Sequence, residues 1–88
     1  GPDKIQLNPS EGIITERENG KIVVNCTADC NPPCSFKWTK DLVPTLLSNN
    51  QTLIISSVSR SDSGRYLCNV SNYMTDISLT ASIYVMIT

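Results

Sequence analysis

The chain has 88 residues, a formal net charge of −1 and no histidine. This length suits one small domain, whose limited hydrophobic core favours additional covalent cross-links. A near-neutral charge without a basic cluster argues against nucleic acid and anionic membrane surfaces as partners, because both attract concentrated lysine and arginine. Without histidine the chain lacks the commonest general base and the commonest metal ligand, so its many serines and threonines have no evident activating group. We therefore expect a protein that is not an enzyme and that holds neither a metal nor a cofactor.

The composition also indicates where the protein works. We interpret Gly1 and Pro2 as a remnant of an expression tag and residues 3–88 as a single domain. No apolar run reaches the roughly 20 residues of a membrane-spanning helix, so we expect no direct membrane insertion in this segment. Four cysteines, an even number in a short chain, favour disulfides and an oxidising, extracellular location. Asn-x-Ser/Thr sequons agree with that location; their asparagines are Asn25, Asn50 and Asn69.

Short runs of alternating apolar and polar residues, separated by turn residues, predict strands along the whole chain. The first two are edge segments at residues 3–8 and 12–15, interrupted by Asn8-Pro9-Ser10. An Asn19-Gly20 turn follows, because this pair readily adopts positive φ. The clearest alternation comes next and places four side chains inward: Ile22, Val24, Cys26 and Ala28.

The middle of the chain begins with a tight loop at residues 29–34. A strand follows in which Phe36 and Trp38 point inward. Pro44 has no N–H to give to a central strand, so residues 42–48 are expected to form one or two short edge segments.

The rest of the chain contains three more predicted strands. The first, at residues 51–56, leads to one helical turn that Ser59 caps. Gly64 then permits a sharp re-entry to the next strand. In the first of the last two strands, Tyr66, Cys68 and Val70 point inward. In the second, one side carries Ile77, Leu79, Ala81, Ile83, Val85 and Ile87.

The spacing of the cysteines, the tryptophan and one tyrosine resembles the immunoglobulin superfamily. Cys26 lies in one alternating strand, Trp38 in the next, and Tyr66 stands two residues before Cys68. The resemblance covers nearly the whole chain. The sequence is most similar to the intermediate or second constant-type sets of immunoglobulin domains. It implies an all-β fold, a two-sheet antiparallel sandwich of Greek-key topology with about seven or eight short strands.

The family pattern also implies roles for individual core residues. A disulfide between Cys26 and Cys68 is expected to bridge the two sheets, with Trp38 packed against it. Tyr66 is expected to close a corner by donating a hydrogen bond to the backbone just upstream.

Cys30 and Cys34 depart from the family pattern. We interpret them as a local disulfide, because the two prolines between them favour a sharp turn. A zinc site is one alternative, but cysteine ligands of zinc usually stand in closer C-x2-C pairs. Another is the C-x3-C of integrin-binding adhesion molecules, which Cys26 and Cys30 resemble. That pattern needs a further cysteine where Asn72 stands, so the match fails.

Asp41-Leu42-Val43-Pro44 resembles the acidic tetrapeptide that such adhesion molecules present to an integrin's metal ion. A lone acidic residue is a weak motif. We therefore interpret Asp41 as the acidic residue of a turn after the Trp38 strand.

The resemblance implies an extracellular module of a cell-surface adhesion or immune-type recognition protein, which acts by binding another protein. The alternative is a structural spacer within a multi-domain ectodomain. Apolar side chains that face outward favour recognition. The candidate binding residues are Pro32, Pro33, Tyr73 and Met74 at one tip, and Leu67, Tyr84 and Met86 on the strands.

The tip is the preferred binding site, since its loop is stiffened and would lose little conformational entropy on binding. The same tip residues are alternatively expected to pack against a neighbouring domain. Among the sequons, Asn50 lies in a predicted exposed turn and is expected to carry a glycan. Asn25 lies within a strand, and Asn69 projects from a sheet face.

Overall fold

The computed structural model describes residues 3–30, 33–72 and 77–88. One 3-10 helical turn, Arg60–Asp62, accompanies the strands. In chain order the strands are β1 (Asp3–Asn8), β2 (Ile13–Glu16), β3 (Ile22–Asp29), β4 (Ser35–Lys40), β5 (Val43–Ser48), β6 (Thr52–Ile55), β7 (Gly64–Asn72) and β8 (Ile77–Ile87).

These strands form two sheets, which confirms the predicted sandwich. The three-stranded sheet has the order β1-β3-β6, and the five-stranded sheet has the order β2-β8-β7-β4-β5. Neighbouring strands are antiparallel, except that β2 pairs in parallel with β8. The first two strands therefore belong to different sheets, although both lie within residues 3–16. A disulfide between Cys26 of β3 and Cys68 of β7 ties the sheets together.

The inward faces of both sheets supply a single buried core. Along β3 the alternation is strict: Ile22, Val24 and Cys26 are buried, while Val23 and Thr27 are exposed. Such alternation follows from the pleat, which directs successive side chains to opposite faces. The buried apolar residues are Ile22, Val24, Cys26, Trp38, Leu53, Val58, Tyr66, Cys68, Val70, Ile83, Val85 and Ile87.

The segment that contains Pro44 forms one strand, β5, at the edge of the five-stranded sheet. Its register with β4 shifts between Trp38 and Thr39 and again between Thr39 and Lys40. A residue without an N–H is tolerated at such an edge, because the sheet loses no interior hydrogen bond.

The re-entry into β7 is a corner closed by Tyr66. Its hydroxyl donates a hydrogen bond to the backbone carbonyl of Asp62, whose carboxylate accepts the backbone N–H of Ser59 at 2.8 Å. Burial, and secondarily the charge of Asp62, raise the pKa of Tyr66 above its ordinary value. Gly64 has a φ of +147°, and a Cβ there would lie 2.7 Å from Cε of Lys40. The positive φ therefore favours glycine at this position, whereas the flexible end of the Lys40 side chain can move away from a Cβ.

Candidate protein-binding surface

Both disulfides bear on what chemistry the domain can perform. Cys26 pairs with Cys68 and Cys30 with Cys34, which accounts for all four cysteines. Among residues 3–30, 33–72 and 77–88, no three His, Cys, Asp or Glu side chains are grouped to hold a metal ion. The helical structure in these ranges includes nothing long and apolar enough to cross a membrane.

A diagonal row of mainly apolar side chains crosses the outer face of the five-stranded sheet. Leu46 of β5 pairs with Thr39 of β4, and Thr39 pairs with Leu67 of β7. Tyr84 of β8 lies two residues beyond the partner of Leu67 and pairs with Ile13 of β2. Diagonal neighbours of this kind are within reach of large side chains. We call these five residues, Leu46, Thr39, Leu67, Tyr84 and Ile13, the sheet-face band.

The two ends of the sheet-face band are open to solvent. Leu46 is 49% exposed, Tyr84 41% and Ile13 57%, whereas Leu67 and Thr39 in the centre are half-buried. Met86, 46% exposed, lies on the same side of β8 as Tyr84. Apolar area left in water is unfavourable, and a contiguous patch of it commonly marks a protein contact.

Polar side chains border the sheet-face band on one side. Lys37 of β4 pairs with Asn69 of β7, and Asn69 pairs in turn with Thr80 of β8. The hydroxyl of Thr80 donates a hydrogen bond to Oδ1 of Asn69 at 2.9 Å. An apolar centre beside a polar border is the usual composition of a protein interface.

The structure places the predicted binding residues in two different ways. Leu67, Tyr84 and Met86 share the outer face of the five-stranded sheet. At the predicted tip, Pro33 is exposed. The other three predicted tip residues lie outside the described residues: Pro32, Tyr73 and Met74.

Two members of the sheet-face band escaped prediction, and each for a local reason. Leu46 stands in the segment whose pairing Pro44 left undetermined. Ile13 is followed by Ile14, so no alternation indicates which isoleucine faces outward. In the structure Ile13 is exposed, and Ile14 packs against the core.

The β4–β5 turn presents Asp41 and Leu42. Asp41 is exposed, and its backbone N–H donates to the carbonyl of Arg65 at 2.8 Å. Leu42 is 96% exposed and has a φ of +65°. Asp41 thus occupies a turn after β4.

The three sequons occupy different surroundings. Asn50 is exposed in the turn between β5 and β6, and its Oδ1 accepts the N–H of Thr52 at 3.0 Å. Asn25 is half-buried in β3, with Oδ1 accepting the hydroxyl of Thr52 at 3.1 Å. Asn69 is half-buried on the outer face of the five-stranded sheet.

Comparisons with known proteins agree with this architecture. A family model described as "Immunoglobulin domain" matches residues 2–72. Cell surface glycoprotein MUC18 of Mus musculus is 33% identical over 67 residues, which cover 76% of this chain and 10% of that protein. Contactin-2 of Homo sapiens is 33% identical over 79 residues, which cover 83% of this chain and 8% of that protein. This chain therefore spans at most about a tenth of these two relatives.

A solved structure is similar over almost the full chain. The crystal structure of the N-terminal four Ig domains of Dscam1 isoform 8.4 has a TM-score of 0.82 with this structure, at 25% sequence identity. The match covers 99% of this chain and 21% of that one.

Proposed function

This chain belongs to the immunoglobulin domain family, and we propose that it is an extracellular module of a cell-surface adhesion protein that binds another protein through the sheet-face band. One observation carries the proposal: apolar side chains from four strands share one outward face. They are Leu46 of β5, Leu67 of β7, Tyr84 of β8 and Ile13 of β2. A partner that covers this face removes their apolar surface from water.

The sheet-face band is also well suited to bind with little entropic cost. Leu67 and Tyr84 stand on β7 and β8, each of which pairs with a strand on both sides. Their backbone is therefore already ordered before a partner arrives. Tyrosine is among the residues that most often dominate binding energy, so Tyr84 is the expected energetic centre.

Three features support an extracellular, adhesion-type setting. Two disulfides require an oxidising compartment to form and persist. Three sequons are present, and a similar protein bears the name cell surface glycoprotein MUC18.

A structural spacer is the second candidate function. It is favoured by the short span of the match, since this chain corresponds to only 10% and 8% of the lengths of two relatives. A module that only separates other domains needs no partner of its own. If the domain is only a spacer, substitutions in the sheet-face band should change no binding affinity.

The test uses the domain itself as the probe. Beads coated with the domain are tested for aggregation with one another, and a multimerised soluble form is tested against a panel of cell-surface ectodomains. Leu46→Lys and Tyr84→Ala are compared with wild type. Val23→Lys is the matched control, because Val23 is 47% exposed, close to the 49% of Leu46, and lies on the other sheet.

We expect Tyr84→Ala and Leu46→Lys each to weaken binding by about 2 kcal/mol, or about thirtyfold in Kd. Val23→Lys should leave Kd unchanged. Wild-type domain that binds neither itself nor any ectodomain would support the spacer. Binding that survives both band substitutions would move the contact to the tip that includes Pro33.

A further inference from the structure

One side of the sandwich, between β5 and β6, is open. Each of these strands is the last in its sheet within the described residues, and neither pairs with the other. A cleft of about 270 Å³ separates them, and Leu53, Ile55 and Tyr66 contribute to its lining. At its rim, Leu47 is 43% exposed and Ile54 is 56% exposed.

The backbone of β6 is only partly protected along this open side. The N–H of Cys26 donates to the carbonyl of Gln51 at 2.8 Å. Since hydrogen bonds alternate along an antiparallel pair, the backbone groups of Thr52 and Ile54 face away from β3. Side chains of the preceding turn occupy those of Thr52: its N–H donates to Oδ1 of Asn50, and its carbonyl accepts the hydroxyl of Ser48, both at 3.0 Å.

The side chains of the described turn residues make no such hydrogen bond to the backbone of Ile54. Its strand, Thr52–Ile55, contains no charged residue and no proline, the devices that usually protect an edge. By contrast, β5 contains Pro44 and two register irregularities. An uncharged apolar edge of this kind invites pairing with another chain.

Asn50 stands beside this unprotected stretch. A shallow, open groove of about 470 Å³ is lined by Leu47, Ser48, Asn50, Gln51, Thr52 and Ile54. Oδ1 of Asn50 accepts the Thr52 N–H at 3.0 Å and, at 3.1 Å, shares the single Ser48 hydroxyl proton with the Thr52 carbonyl. These bonds orient the amide and do not use Nδ2, the atom that carries a glycan.

We propose that an N-linked glycan on Asn50 lies along this groove, with its first sugar over Leu47 and Ile54, and prevents a second copy of the chain from pairing with β6. The transfer forms a bond between Asn50 Nδ2 and the anomeric carbon of an oligosaccharide. The bond from that carbon to a lipid-diphosphate carrier breaks, and the amide proton is lost as the diphosphate leaves. The sugar then adds hydrated bulk where the polypeptide is apolar.

The other two sequons are differently placed. Asn25 and Asn69 are both half-buried, and neither lines the groove beside Ile54. Their sequons can be removed at exposed positions by Thr27→Ala and Ser71→Ala. This double variant leaves Asn50 as the only acceptor.

The experiment compares three forms of that double variant: fully glycosylated from a secretory host, trimmed by endoglycosidase to the first sugar, and glycan-free from an oxidising bacterial compartment. Intact mass reports occupancy of Asn50, and sedimentation velocity over a concentration series reports self-association. The glycan-free form is expected to associate at least about tenfold more tightly than the glycosylated form. The trimmed form should behave like the glycosylated one.

Ile54→Thr in the glycan-free form should reduce self-association to the glycosylated level. Ile77→Thr is its matched control, because Ile77 is 49% exposed, against 56% for Ile54, and lies on β8 of the other sheet, outside the sheet-face band. An unmodified Asn50, equal association of all three forms, or a trimmed form that associates like the glycan-free one overturns the proposal. So does loss of association with Ile77→Thr, which would show that self-association does not depend specifically on the edge of β6. Should the glycan-free chain misfold, enzymatic removal of the glycan from folded protein supplies the same comparison.

Discussion

The two disulfides cross-link two very different regions of the molecule. Cys26 and Cys68 are 42 residues apart, are 0% exposed and join the facing sheets. Cys30 and Cys34 are 4 residues apart and half-buried in the loop between β3 and β4. The chain-entropy model assigns about 4 kcal/mol to the longer closed loop and about 2 kcal/mol to the shorter one. The first cross-link holds the sandwich together, whereas the second shapes one loop of it.

Removing the inter-sheet bridge should have the largest effect. We expect Cys26→Ala with Cys68→Ala to lower the free energy of unfolding by about 2–5 kcal/mol, because the unfolded chain gains freedom and the core loses buried sulfur. Urea denaturation followed by far-UV circular dichroism measures this. A decrease in the free energy of unfolding of less than about 1 kcal/mol would show that this bridge does not hold the sandwich together.

Removing the loop bridge should cost less and leave the sandwich intact. We expect Cys30→Ser with Cys34→Ser to lower the free energy of unfolding by about 2 kcal/mol or less. The same urea denaturation applies, and peptide mapping without reduction of the wild-type protein verifies the pairing. A linkage of Cys26 to Cys30, or a loss equal to that of the inter-sheet bridge, would remove the contrast between the two regions.

The corner beside the inter-sheet bridge should respond to alkaline pH. Because the pKa of Tyr66 is raised by burial and then by Asp62, its neutral form is favoured in the folded state. This stability is fully present below the ordinary tyrosine pKa of about 10 and is lost as pH rises through the higher folded-state value. Tyr66→Phe should therefore flatten the fall in stability above about pH 10.

At neutral pH, Tyr66→Phe should also cost about 0.5–1.5 kcal/mol, because the hydrogen bond to the carbonyl of Asp62 is lost. Thermal unfolding at a series of pH values measures both effects. Tyr84→Phe is the control, since Tyr84 lies on the outer face and is 41% exposed. An identical alkaline profile for wild type and Tyr66→Phe would show that the corner plays no part.

The smallest expected effect lies outside both cross-linked regions, at Leu42. This residue has a φ of +65° and is 96% exposed, so its side chain gains almost no burial in exchange for an unfavourable backbone conformation. Leu42→Asn should raise the free energy of unfolding by about 0.5–1 kcal/mol, since asparagine tolerates positive φ. Calorimetric Tm values of the two proteins, measured side by side, test this; a lower Tm for the variant would mean that Leu42 stabilises the turn.

The core region was predictable because two independent patterns agree there. Strict alternation places Cys26, Trp38 and Cys68 inward, and the family spacing relates them to one another. Leu67 and Tyr84 were predictable on the outer face for the same reason, as their strands are long and regular. Alternation over many residues fixes which face a side chain occupies.

The regions that escaped prediction are those where pattern alone is ambiguous. Pro44 indicates an edge strand but not which sheet receives it, so Leu46 could not be placed on a face. Two adjacent isoleucines give no alternation, so Ile13 was left unassigned. Choice between two sheets depends on contacts distant in sequence, such as the parallel pairing of β2 with β8. Local propensity does not contain that information.

The position of Trp38 gives the native protein an optical signature. It is the single tryptophan of the chain, is 0% exposed, and pairs in register with Cys68 of the inter-sheet bridge. Its indole Nε1 donates a hydrogen bond to the carbonyl of Gln51 at 3.0 Å, which holds the ring in place. An excited indole beside a disulfide transfers an electron to it and loses its emission. The folded domain should therefore fluoresce weakly and at short wavelength, and should brighten when the bridge is reduced or the two sheets separate.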